Sequence, residues 1–251
     1  MLRVTVNSEK PQPLAVFLQA VFSRMSDSGA EYAILRNYRD LPGYVRHDID
    51  MAVAPGSLSC VVEAIRGAVE ETGWAVSGIR TGACTTVFVE EEGGGRKLHF
   101  DLSTGPRWYC FEFVDWRRIL AKSVLYRGFR VADAAGEAVV CLMLRLLYGG
   151  YVKDEYRDSI RRSASDEAIH AEMRSLLLPW LGDVATMRIL GWAACGDWKA
   201  LEGRVGRMRA RAIWGNLKRP SLMVRHVVHD LFHAVLRWFS IRHSSAQIVN
   251  S

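Results

Sequence analysis

Asp48 and Asp50 are separated by one residue in the apolar run Asp48-Ile49-Asp50-Met51-Ala52-Val53, and a third acid, Asp101, lies in a second short run, Lys97 to Ser103. Side chains alternate faces along a strand, so Asp48 and Asp50 project together while Ile49, Met51 and Val53 turn the other way. In the second run Phe100 and Leu102 share one face, and His99, Asp101 and Ser103 the other. Two carboxylates side by side on a half-buried strand repel each other and need a cation to offset them. A divalent metal is the natural candidate. Mg2+ prefers oxygen, keeps several waters and is usually held by one or two carboxylates plus substrate phosphates. A carboxylate pair can bridge two such ions, one gripping phosphates and the other activating an acceptor hydroxyl near a third carboxylate. Asp48, Asp50 and Asp101 are therefore candidate catalytic and metal-ligating residues for nucleotidyl or phosphoryl transfer.

The elements that must position them follow from periodicity. Leu14, Phe17, Leu18, Val21, Phe22 and Met25 form one stripe of a helix within residues 11–28, stopped by Gly29. A buried strand is predicted over 31–36, a loop over 37–46 through Leu41-Pro42-Gly43, and the acidic strand over 48–54. Ser57 is placed to cap a helix whose apolar face is Leu58, Val61, Val62, Ile65 and Val69. Strands are expected over 74–79, 85–90 and 97–102, the last two joined by a glycine-rich turn, and an extended segment over 123–131. From Ala134 onward the period is helical: 138–148, 155–162, 165–178, 184–194, 199–214 and 220–240. The fold class expected is α+β, a mixed sheet flanked by helices followed by an all-helical C-terminal region. The domains would be residues 1–131 and 132–251.

The 251 residues are 49% hydrophobic and 24% charged, a globular composition that argues against disorder. Five cysteines with no C-x-x-C pair give no disulfide framework. No apolar run is long enough to span a bilayer and no signal peptide is evident, so the expected location is cytoplasmic, with peripheral contact at an inner membrane as an extension. The net charge of +6 is concentrated from Ala193 onward, where ten Lys and Arg face three Asp and Glu; the rest of the chain holds 23 against 24. Such a basic end suits phosphate-rich ligands, membrane surfaces or acidic partners, or is simply a solvated helix face. Nucleic acid is not an expected partner.

The order of a hydrophobic strand, a short polar turn, Asp48-Ile49-Asp50 and a later Phe100-Asp101-Leu102 resembles the nucleotidyltransferase fold superfamily. Within it, Leu35-Arg36-Asn37-Tyr38, Asp40-Leu41-Pro42 and Asp48 to Val53 look like the nucleotidyltransferase-like proteins of bacterial surface-polysaccharide clusters. The resemblance implies Mg2+ as cofactor, a nucleoside triphosphate donor, a sugar-type or protein acceptor, and metal-ligand roles for Asp48, Asp50 and Asp101. Many members carry Gly-Ser or Gly-Gly after the first strand, where this chain has Arg36-Asn37. These side chains could grip phosphate, or their bulk could close the site; His47 likewise stands where small residues are common. Arg36 could equally form a surface salt bridge with Asp40. Lys153, with Arg157, Arg161 and Arg162, could reach a triphosphate tail or line a solvated face, so Arg36, Asn37 and Lys153 are the candidate nucleotide-binding residues.

The functional expectation is Mg2+-dependent transfer of a nucleoside monophosphate to a hydroxyl or phosphate in surface-glycan metabolism. The alternatives are a non-catalytic adaptor of the same fold and an antitoxin-like transferase that modifies a partner protein. His226, His229 and His233 share a helix face and could bind metal, or form the polar side of a helix. That helix, 220–240, leaves Leu231, Val235, Trp238 and Phe239 in need of a partner, either a second copy, another protein or a membrane surface.

Overall fold

Leu14, Phe17, Leu18, Val21, Phe22 and Met25 are all buried, as their spacing requires, on the first helix, α1 (Pro13–Asp27). The computed structural model describes residues 13–45, 48–82, 84–109 and 111–221, and beyond these Val224, His226, Val227, Val228 and Leu231. After α1 come β1 (Tyr32–Ile34), β2 (Asp48–Val53), a short 3-10 turn and α2 (Leu58–Thr72). Three longer strands follow, β3 (Trp74–Thr81), β4 (Thr85–Glu91) and β5 (Lys97–Ser103), then a small separate hairpin, β6 (Arg107–Trp108) and β7 (Phe111–Glu112). Helix α3 (Trp116–Ala121) leads to β8 (Val124–Tyr126) and β9 (Phe129–Val131). The remainder is helical: α4 (Ala134–Leu144), α5 (Asp154–Ser165), α6 (Glu167–Leu181), α7 (Asp183–Cys195), α8 (Trp198–Glu202) and α9 (Val205–Leu217).

Among the described residues, seven strands form one mixed sheet in the order β3-β4-β5-β2-β1-β9-β8. Strand β2 lies at its centre, antiparallel to β1 and parallel to β5. Its alternation works as the sequence implies. Ile49, Met51 and Val53 are buried with Phe17, Val61, Ile65 and Phe100 in a core beneath α1 and α2. Ala52, with Ala33 of β1 and Leu35 just after it, joins a second core built largely from α4, α6 and α7. The face that carries Asp48 and Asp50 is therefore the one the helical region packs against at its Ala52 end. Phe17 stacks on Trp74 at 4.6 Å and meets Phe100 edge-on at 6.2 Å, tying α1 across three strands.

Three details depart from the sequence expectations. Ser57 makes no cap bond to α2; its hydroxyl instead accepts from the Glu31 backbone N–H at 3.0 Å and anchors the start of β1. The segment expected as one extended stretch is a hairpin, because Arg127 and Gly128 both take positive φ, the turn geometry that matches strand twist. The helix expected over 199–214 is two, α8 and α9, broken at Gly203-Arg204. Helix α4 also runs on into a π-helical turn, Arg145–Gly149, ended by Gly150 at φ 80°. Most of the helix expected over 220–240, including His229, His233, Val235, Trp238 and Phe239, lies outside the described residues, as does His47. No helix among the described residues is long and apolar enough to cross a membrane.

Two packing features make the helical region testable. Helix α9 crosses α6 so closely that a Cβ at Gly215 would collide with the Trp180 carbonyl oxygen. Glycine to alanine inside a helix ordinarily gains about 0.5–1 kcal/mol, whereas G215A is expected to lower the midpoint of urea unfolding. Glu172 of α6 accepts from Arg118 at 2.5 Å and Lys122 at 2.6 Å, clamping α3 to α6. The Arg118 hydrogen bond, aided by Lys122 and opposed by burial, pushes the Glu172 carboxyl down to about 2. A folded pKa below the ordinary 4.5 stabilises the fold above that value and loses the contribution as pH falls toward 2. Thermal unfolding from pH 5 to pH 2 should therefore fall less steeply in E172Q than in the native chain.

Candidate active site

The parallel register of β2 and β5 sets Asp48 beside His99 and Asp50 beside Asp101. All four point to the same face of the sheet, half-buried, and the remaining strands hold them there. The backbone N–H of Leu35 donates to the Asp50 carbonyl at 2.8 Å, extending the β1–β2 pairing just far enough to bring Arg36 alongside the acids.

Arg36 is only 8% exposed. Its Nε donates to Asp50 Oδ2 at 2.6 Å, and Nη2 stands 3.6 Å from Asp48 Oδ2. Burial would pull the guanidinium down, yet the Asp50 charge and hydrogen bond together outweigh it and hold Arg36 above its ordinary value. The cation demanded by the paired acids is thus supplied in part by the chain itself, and Arg36 does not pair with Asp40. Nη1 donates to the Tyr156 hydroxyl at 3.4 Å, which donates in turn to Asn37 Oδ1 at 3.3 Å. Asn37 sits at φ 58°, the left-handed region that asparagine tolerates better than most side chains. It supplies the backbone conformation for which glycine is the usual residue.

The following loop is fixed from the helical side. Arg39 donates to both carboxylate oxygens of Glu137 on α4, at 2.9 and 2.8 Å, and the Tyr38 hydroxyl donates to Glu137 Oε2 at 3.2 Å. Burial, reinforced by the Glu137 charge, pushes the Tyr38 phenol up to about 12. Asp133 caps α4 by accepting from the Gly136 N–H at 2.7 Å.

On the other side of the acids, the Thr86 hydroxyl donates to Asp101 Oδ1 at 2.7 Å, and Asp101 Oδ2 lies 3.6 Å from His99 Nε2. The Phe88 ring packs against the imidazole with centroids 5.5 Å apart. One ligand atom each from Asp48, His99 and Asp101 falls within 4.8 Å of the others. Oxygen and imidazole donors at this spacing fit a divalent cation. Asp50, expected as the partner of Asp48 in metal binding, is placed against Arg36 instead.

Two clefts meet at Arg36 and Arg145. One, of about 310 Å³, is lined by Asp50, Asp101, Arg107, Arg145 and Tyr148. The other, of about 850 Å³, is lined by Asn37, Asp48, Lys153, Tyr156 and Arg162. Arg145 lies 5.9 Å from the Tyr156 ring centre, and its Nε is buried with no hydrogen-bond partner among the described residues. Lys153 ends at 3.6 Å from Glu155 on the rim, while Arg157 is engaged by Asp154 and Glu202.

No protein-family model matches the chain, and no curated protein matches it. Two solved structures from Helicobacter pylori are similar in chain path. JHP933 is 12% identical with a TM-score of 0.41, over 86% of this chain and 98% of that one. A candidate nucleotidyltransferase is 13% identical with a TM-score of 0.37, over 82% and 97%. One fold hosts many chemistries, so function rests on the side chains themselves.

Of the sequence candidates, the structure brings Asp48, Asp50, Asp101 and Arg36 together, with Asn37 and Lys153 lining the adjoining cleft. Sequence reasoning missed His99, Thr86, Arg145 and Tyr156. His99 and Thr86 carried a signal, since each faces the acids by simple strand alternation. Arg145 and Tyr156 carried none, because helix packing alone delivers them. Removing one partner of a fully buried ion pair costs about 3–5 kcal/mol, and the half-buried acids here, with side chains 17% and 30% exposed, reduce that cost. R36M should therefore lower stability by less than that figure in urea unfolding, and the double substitution R36M/D50N should recover part of the loss.

Proposed function

We propose that the chain is a metal-dependent nucleotidyltransferase that binds a nucleoside triphosphate with Mg2+ and transfers the nucleoside monophosphate to a hydroxyl or phosphate acceptor. The observation that carries this reading is the β2–β5 register, which gathers Asp48, Asp50 and Asp101 at the mouth of clefts lined by Arg36, Arg145 and Lys153. Three carboxylates opposite several cations form a site that can hold both a divalent ion and a polyanion, which neither charge alone would do. A bound divalent ion would supply charge neutralisation of the phosphates and acidify an acceptor hydroxyl.

The chain's own residues supply the rest. Asp48 and Asp101 face a common space from adjacent strands and would hold a divalent ion, while Mg2+ would arrive with the phosphates of the nucleotide. Arg36, oriented by Asp50 and Tyr156, presents a fixed guanidinium edge toward phosphate, and Arg145 and Lys153 extend that positive surface along the two clefts. Asp101, oriented by Thr86, stands where a carboxylate can take the proton of an acceptor hydroxyl. A sugar-type acceptor in bacterial surface-glycan metabolism, within the cytoplasm, is the setting proposed, on the strength of the sequence resemblance.

One observation favours a second reading. Because Arg36 already offsets Asp48 and Asp50, the paired acids depend less on a metal, as those of a non-catalytic adaptor of the same architecture would. Calorimetric titration with each Mg2+–nucleoside triphosphate separates the two. Binding is expected for at least one nucleotide and should be lost in D48N/D101N that retains its circular dichroism. A folded native chain that binds none of them would sink the enzymatic reading in favour of the adaptor.

A further inference from the structure

The three ligand atoms that converge are not the three carboxylates. Asp50 is committed to Arg36 at 2.6 Å, and the group within 4.8 Å is Asp48, His99 and Asp101. Ligands each about 2.0–2.2 Å from an ion stand roughly 3–3.5 Å from one another, so small side-chain adjustments close this set around a cation. We propose that Asp48, His99 and Asp101 form a site for a divalent first-row transition ion of the Zn2+ type, held by two carboxylates and one imidazole with open positions for substrate. The inference rests on the nucleotidyl reading only for what the ion would do, not for the site.

Three observations support it. Imidazole suits Zn2+ and its neighbours, whereas Mg2+ is bound through oxygen, so His99 in the ligand set selects against Mg2+. The outer partners of a metal site are also present. Thr86 donates to Asp101 Oδ1, leaving Oδ2 turned to His99, and Phe88 holds the imidazole plane. Such groups orient ligands before the ion arrives. Finally, Arg36 engages Asp50 closely, at 2.6 Å, and Asp48 only at 3.6 Å, which takes Asp50 out of the set and leaves two carboxylates, Asp48 and Asp101, for the ion. A single dication then meets two carboxylates and balances them. Mg2+ would enter separately, with the phosphates of the nucleotide.

The metal-stripped full chain titrated with Co2+ in the absence of nucleotide gives the test, read from visible ligand-field absorption. One equivalent of Co2+ is expected to bind, to be displaced by Zn2+ and to resist millimolar Mg2+. H99Q and H99N, checked for folding by circular dichroism, should weaken binding by more than about tenfold, while R36M/D50N should retain it. No absorption from the native chain, displacement by Mg2+, full binding by either His99 variant, or loss of binding in folded R36M/D50N would each overturn the assignment. Nucleotide binding without Co2+ binding would overturn the metal site alone. Co2+ binding without nucleotide binding would leave the site standing and overturn the nucleotidyl reading.

Discussion

The mutual repulsion of Asp48 and Asp50 is the constraint that organises the molecule around it. A strand that must bury Ile49, Met51 and Val53 on one face cannot also carry two uncompensated carboxylates on the other. Arg36 meets that demand from β1's end, so the central strand pairing and the charge balance of the site are one arrangement. Arg36 is in turn held by Tyr156 of α5, and the loop after it by Glu137 of α4. The helical region thereby fixes the electrostatics of the sheet, although Asp48, Asp50 and Asp101 all come from strands.

This division of labour explains how a half-exposed cluster is kept in register. The carboxylates project from strands, whose pairing leaves them little freedom, while the cations come from a turn and from helices. Arg145 lies at the start of a π-helical turn, where the wider winding redirects side chains relative to a regular helix. The adjacent clefts leave the positive side of the site open to a ligand, whereas the negative side is already tied by Arg36 and Thr86.

Much of this was legible in the residues. Alternation along Asp48 to Val53 and Lys97 to Ser103 was enough to orient the acids, and helical spacing was enough to define α1 and α2. Where the reading fell short, the cause was an interaction between segments distant in the chain. Ser57 has the type of a helix cap, but the backbone N–H of Glu31 competes for its hydroxyl. Arg127-Gly128 carries only one glycine, so the second positive φ at Arg127 was not visible in the pattern. The role of Arg36 was open because Asp40, Asp48 and Asp50 are all close in sequence, and only the β1–β2 register chooses among them. Arg145 and Tyr156 approach the site through helix packing, which no local spacing encodes.

The β1–β2 pairing also has a consequence for the order in which the chain assembles. It joins segments separated by one short loop, while the β2–β5 pairing closes over α2, β3 and β4. Loop-closure entropy favours the nearer contact. Arg36 is therefore expected to reach Asp50 before β5 docks, so that the sheet has its counter-charge when the third acid arrives. With Arg36 in place, Asp48 and Asp50 together carry one net negative charge rather than two, so Asp101 joins a surface already partly compensated.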